Sequence, residues 1–285
     1  MSSAIAVAPV ESQAEIPTET PTAPELEHRG PRLQALAWRL LRLTVVVAAF
    51  LALWEAAPRI GLVDKVFLPP FSEVVSAWFT LLGNGQLAEH VSASLSRALA
   101  GLAIAIVVSI PLGVAIAWYR PVAEFLNPIL ELFRNTAALA LLPVFILILG
   151  IGETSKVALV IYAASFPILL NTISGVRTVD PLLIKSARSL GLSPIRLFQK
   201  VILPAAVPTI FTGLRMAAAS SILVLIAAEM VGAKAGLGYL ITASQLNFQI
   251  PNMYAGIVTI ALVGVIFNGI VVAIEGRLSG WRATT

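Results

Sequence analysis

Between Arg97 and Arg120 the chain runs for 22 residues without a charge, the length a helix needs to cross the hydrocarbon core of a bilayer. Such runs recur. Eighteen uncharged residues separate Arg134 from Glu153, 20 separate Lys156 from Arg177, and 40 extend from Ala235 to Ile274. The last run includes the polar section Ser244–Asn252, which does not suit hydrocarbon, so it supplies one span rather than two. Another run begins beside Arg39 and Arg42, whose stems can reach the interface, and another holds only Arg215 and Glu229, near its two ends. The spacing therefore predicts six spans, at about 40–57, 98–119, 135–152, 157–176, 208–231 and 253–274.

Composition agrees with an all-α, polytopic membrane helical bundle. Hydrophobic residues make up 58% of the chain and charged residues 12%, where a soluble exterior needs about a quarter charged. The absence of cysteine removes disulfides, iron–sulfur clusters, thiolate zinc sites and cysteine nucleophiles. Two histidines, His28 and His90, offer little for a metal. Residues 1–30, rich in Ala, Pro, Thr and Glu, have no apolar core and read as a disordered cytoplasmic tail, leaving 31–285 as the membrane domain.

The first 28 residues carry five acids and no Lys or Arg, whereas the remainder carries nineteen bases against ten acids. With the N-terminus inside, thirteen Lys and Arg fall on inner segments. Only Arg59, Lys65, Arg97, Lys156 and Lys234 fall on outer ones, which predicts an N-in/C-in topology. The basic excess is that of a membrane protein, and no Arg/aromatic interleaving points to nucleic acid. In the second span Gly101, Ala105, Ser109, Gly113 and Ala117 recur every fourth position, a ridge that admits another helix closely. Pro111, Pro143 and Pro167 permit kinks in spans two to four.

The inner segment Asp180–Pro204 reads as two short helices meeting at a glycine. Asp180-Pro181 and Ser193-Pro194 are helix starts, and Gly191 is the left-handed residue that ends the first helix. Leu183, Ile184, Ala187 and Leu190 mark one apolar face, while Ile195, Phe198, Val201 and Ile202 line the second helix until Leu203-Pro204 turns the chain toward the next span. Such a pair can lie on lipid, pack on its own bundle or dock into a partner.

Lys185-Ser186-Ala187, three residues, Gly191, nine residues, Val201, one residue and Leu203-Pro204 resemble the EAA loop of ABC importer permeases. The family pattern is Glu-Ala-Ala, Gly, Ile and Leu-Pro at the same spacings. Lys185, Ser186 and Val201 depart from it in identity, and Ala187, Gly191, Leu203 and Pro204 keep its shape. The resemblance extends over about residues 65–275. Phe67-Leu68-Pro69-Pro70, Ser94-Leu95-Ser96-Arg97, Leu141-Leu142-Pro143, Gly150 through Lys156, Phe166-Pro167-Ile168 and Ala228-Glu229 resemble the aliphatic sulfonate, taurine and nitrate importer permeases. Arg134-Asn135-Thr136-Ala137 lacks the proline of that subfamily's Arg-Asn-x-Pro.

The resemblance implies an ABC importer permease of the bacterial inner membrane. It would pair with a second copy of itself, with cytoplasmic ATPase subunits and with an external or periplasmic binding protein. Lys185, Ser186, Ala187, Arg188, Gly191, Leu203 and Pro204 would then couple to the ATPase. The chain would bind no cofactor and catalyse nothing itself, ATP and Mg²⁺ belonging to the partner. Gly150 through Lys156 lacks the Gly-Lys-Ser/Thr ending of a phosphate loop and reads as a tight turn. The implied solute is a small anion, a sulfonate such as taurine first and nitrate or bicarbonate next; a vitamin precursor is the alternative. Candidate pathway or gate residues are Arg215, Glu229, Asn171 and Asn268, with the fifth span as the lining at an interface between two copies. Glu229 has two readings, a partner for a nearby base such as Lys234 or a gate. No predicted span holds a basic residue near its centre, so selection is expected mainly in the binding protein. A secondary transporter would need buried ionisable groups at mid-bilayer, and an intramembrane enzyme would need a catalytic set that these residues do not supply.

Overall fold

The computed structural model describes residues 31–279; the expected tail, 1–30, lies outside the described residues. The chain divides into two units, residues 1–50 and 51–285. The described part of the first is the opening of helix α1 (Pro31–Arg59), on which Val45, Val46, Val47 and Phe50 are exposed.

In the second unit every described element is helical. α2 (Phe71–Gly83) and α3 (Gln86–Trp118) are separated by Gly85 at φ 80°. α4 (Arg120–Arg134), a 3₁₀ turn (Ala138–Leu141) and α5 (Leu142–Leu149) follow. Then come α6 (Glu153–Arg177), α7 (Pro181–Ser189), α8 (Pro194–Leu197), a π turn (Phe198–Ile202) and α9 (Leu203–Glu229). α10 (Leu237–Leu246) and α11 (Ile250–Ser279) complete the unit. Among the described residues four helical runs are long and apolar enough to cross a membrane: 86–118, 153–177, 194–229 and 250–277. A fifth results if α4 and the segment 138–149, bent at 89°, count as one crossing.

α6 is the axis of this unit, and small residues let its neighbours close on it. The ridge on α3 faces it: a Cβ on Gly101 would stand 2.7 Å from Val160 Cβ, and one on Gly113 would stand 2.8 Å from Thr172 Cβ. Twelve residues along α3 match twelve along α6 in the same sense, so the two helices run parallel, and the segment between them has to return across the bundle. α9 runs the other way, with Gly213 on Pro167 and Asn171 and Gly175 on Ala206. The central layer is apolar, with Ala105, Ala164, Ile168 and Ala217 fully buried. α2 and α10 pack across the start of α11 through Val74, Leu81, Leu237, Leu240 and Ala255.

Several expectations are corrected. Residues 135–152 are not one straight helix but a 3₁₀ turn and an eight-residue helix. At about 1.5 Å per residue, α5 is far too short to span alone. The expected loop 120–134 is helix α4, which buries Ala123 beside Val122, Leu126 and Leu130 and exposes Arg120, Glu124, Glu131 and Arg134. α3 begins twelve residues before the expected boundary at 98. Leu203-Pro204 does not turn the chain. The helix continues from Pro194 to Glu229, and the wider π turn before Pro204 accommodates a residue with no N–H to donate.

Candidate functional site

His90, Ser94 and Arg97 recur at intervals of four and three residues, so they share one face of α3. That face is buried, with Arg97 6% exposed and Glu229, across from it on α9, 1% exposed. Arg97 Nη1 donates to Glu229 Oε1 at 2.6 Å and to the Ala235 carbonyl at 2.7 Å. Its Nη2 donates to Glu153 Oε1 at 2.7 Å, and its Nε to Glu153 Oε2. Ser94 Oγ lies 2.7 Å from Glu229 Oε2 and accepts the Leu237 amide at 2.8 Å, and the Gly238 amide donates to Glu229 Oε2 at 3.0 Å. The Gly236 amide donates to His90 Nδ1 at 3.3 Å. Lys156, also buried, donates to the Gly152 carbonyl at 3.0 Å.

Two bases and two acids give this cluster no net formal charge. The buried Glu229 carboxylate is satisfied by Arg97, Ser94 and the Gly238 amide, as a buried charge must be, whereas Glu153 is exposed. The cluster joins the third and fourth turns of α3, the start of α6 and the end of α9 to the loop before α10. Gly236, at φ 126°, and Gly238 are required there because a Cβ on either would overlap Glu229. Glu229 thus pairs with Arg97 rather than Lys234, which is exposed. Sequence reading placed Arg97 and Lys156 among outer-segment bases. The signal was present in Ser94-Arg97, Glu153-Lys156 and Ala228-Glu229, three of the resemblance motifs, which converge at this point.

At the opposite end of α6, Asp180 caps α7 by accepting the Leu182 amide at 2.7 Å, and Gly191 takes φ 76° between α7 and α8. Ala187 is buried with Val176, Val179, Leu197, Ile202 and Ala206, and Ile184 packs beside it. Leu182, Leu183, Leu190 and Ile195 point outward at 52–80% exposure. The face expected to be uniform is therefore split: Ile184 and Ala187 hold the loop on its own bundle, and Leu183 and Leu190 are free of it. Lys185, Ser186, Arg188 and Gly191 are exposed, and Leu203 and Pro204 are half-buried.

The four pathway candidates fall in three places. Arg215 pairs with Glu275 and lines, with Asn268, a cavity of about 310 Å³ between α9 and α11. Asn171 donates to the Pro167 carbonyl at 2.8 Å and packs on Gly213. Glu229 lies in the Arg97 cluster.

Residues 109–280 match the family described as binding-protein-dependent transport system inner membrane component. The chain is 34% identical over 241 residues to the taurine transport system permease protein of Escherichia coli, covering 83% of this chain and 88% of that protein. It is 31% identical over 261 residues to an aliphatic sulfonates transport permease protein of Bacillus subtilis, covering 92% and 94%. The fold resembles a chain of the inward-facing MetNI methionine ABC transporter, with a TM-score of 0.60 at 19% identity over 68% of this chain and 96% of that one. A bundle of apolar helices, a split helical loop at one end and these similarities establish one conclusion: the chain is a multi-pass membrane protein belonging to the binding-protein-dependent transport system inner membrane components, the permease subunits of ABC importers.

Proposed function

We propose that this permease imports a small organic anion of the sulfonate class, taurine being the first candidate, across a bacterial inner membrane. The observation that carries this reading is the similarity, over most of both chains, to permeases named for taurine and for aliphatic sulfonates. Two copies form the passage between them, cytoplasmic ATPase subunits hydrolyse ATP with the help of Mg²⁺, and an external binding protein delivers the solute. The loop at 180–204 is the coupling element. Its support is a rigid seat through Ala187 and an outward row of leucines, the amphipathic form that fits a partner's groove.

Six crossings place both ends of the chain in the cytoplasm, counting the apolar run 40–57 and taking α4 with α5 as one. Basic residues support that orientation: Arg177, Lys185, Arg188, Arg196 and Lys200 gather at one end of the bundle. The Arg97 cluster then lies at the outer end, where it fixes three helices together.

A strain deleted for this gene, supplied with a sulfonate as sole sulfur source, tests the solute. Lost growth and lost uptake of labelled taurine, both restored by the gene, are expected. Normal sulfonate and nitrate uptake together with lost uptake of a neutral or cationic vitamin precursor would replace the anion reading and keep the permease.

A further inference from the structure

The break between α4 and the 3₁₀ turn lies about midway along α6, on the exposed side of the bundle. On one side of it the Phe133 carbonyl accepts the Tyr162 hydroxyl at 2.9 Å, and on the other the Phe145 ring is 6.2 Å from the same tyrosine. Tyr162 lies nine residues into α6, about 14 Å from its first residue and about 23 Å from its last at ~1.5 Å per residue. The first turns of α4 pack near the far end of α6, Ala123 with Ile116 and Ile173, so α4 climbs from that end to mid-depth and stops.

At that depth stand Arg134, Asn135 and Thr136. Arg134 Nη2 is 3.1 Å from Glu131 Oε2, with the two side chains 47% and 63% exposed. Asn135 and Thr136 turn back to the carbonyls of Glu131 and Leu132. An irregular backbone bearing a guanidinium is not tolerated against lipid tails; at this level it faces protein or a water-filled passage. Beside it a cavity of about 480 Å³ is lined by Phe133, Phe145, Tyr162, Ser165 and Phe166.

The geometry points to a solute site at this break: Arg134 binds the oxyanion head group of the transported solute, and the neighbouring aromatic cavity receives its short apolar part. The assignment rests on the anion-import reading. A guanidinium presents paired N–H donors that match a sulfonate, and an exposed ion pair one helical turn long is weak enough for an incoming anion to share its base. Glu131 keeps the guanidinium aimed and leaves the site reversible, as a passage requires. Selection by charge is thus built into the membrane subunit as well as the binding protein, contrary to the expectation from the predicted spans.

The test uses the full complex in proteoliposomes, with taurine as probe and wild-type uptake measured first. Arg134→Gln is expected to lower ATP-driven uptake at least about tenfold, the effect of losing one charge-assisted contact. Arg134→Lys, which keeps the charge and loses the paired donors, should fall between wild type and Arg134→Gln, and copurification with the ATPase should be unchanged in both. Because the chain has no native cysteine, Arg134→Cys offers chemical rescue: aminoethyl methanethiosulfonate should restore uptake, and the sulfonatoethyl reagent should not. Should Arg134→Gln fail to assemble, Asn135→Cys carries the test, with reagent labelling slowed by saturating taurine. Normal taurine uptake by Arg134→Gln, equal rescue by both reagents, or an Asn135→Cys closed to reagent in a dry contact between copies would overturn the site and leave the anion reading standing. Wild-type transport of neutral or cationic solutes only would overturn both.

Discussion

Arg97 shows how one side chain can hold three helices that are far apart in sequence. Its guanidinium reaches Glu153 on α6 and Glu229 on α9 while its own backbone belongs to α3. Removing one member of a buried pair strands the other, a loss of about 3–5 kcal/mol. Glu229→Gln is therefore expected to lower the thermal unfolding midpoint in detergent by several degrees, and Gly236→Ala to do the same by driving a methyl into that carboxylate. Lys234→Gln should leave the midpoint unchanged, because Lys234 is exposed and outside the cluster. A drop in Lys234→Gln equal to that in Glu229→Gln would return the partnership to the pair expected from sequence proximity. That pairing was misjudged because Glu229 and Lys234 are close along the chain, whereas the true partner lies 132 residues away.

The elements divide between those governed by local chemistry and those governed by packing. Asp180-Pro181, Gly191 and Ser193-Pro194 state their turns in sequence, and the structure has them there. The ridge on α3 was legible for the same reason, since small residues every fourth position admit a close neighbour whatever that neighbour is. Charge-free intervals served less well, because they treat every ionised residue as a boundary. α4 carries Arg120, Glu124, Glu131 and Arg134 within one helix, where two local ion pairs and an exposed face accommodate them. At the loop 180–204, proposed as the coupling element, the structure separates two effects that sequence merged. Gly191 has open space around it, so Gly191→Ala meets only the left-handed backbone penalty, about 1–2 kcal/mol. Gly191→Pro cannot adopt φ 76° at all and should abolish transport. Ala187→Asp puts a charge into the loop's own core and should reduce yield of the folded permease itself. Leu190→Glu instead alters an 80% exposed residue, and it should weaken copurification with the ATPase while the thermal midpoint stays within about a degree. Full ATPase association in Leu190→Glu would take the exposed leucines out of the docking surface.

For the whole molecule the decisive relation is the parallel packing of α3 and α6. Two helices that cross in the same direction require a return crossing between them, and the only segment available is α4 with α5, broken at mid-depth. α9 and α11 then alternate in direction, as the antiparallel contacts of α9 on α6 indicate, together with Arg215 meeting Glu275 while Ile222 and Ile226 lie with Ile260 and Val263. Leu190 consequently lies at the Arg177 end of the bundle, and Leu246, 74% exposed, lies at the Glu153 end with α10. If the basic end is cytoplasmic, an impermeant thiol reagent applied to intact spheroplasts should label Leu246→Cys and spare Leu190→Cys until the membrane is opened. The native chain supplies no cysteine background, so each signal reports one position. Labelling of Leu190→Cys alone from outside would invert the molecule and put the split loop out of reach of any cytoplasmic ATPase. Labelling of both would break the alternation of crossings, because their positions at opposite ends of α9 and its neighbours leave no arrangement in which one side of the membrane exposes the two together.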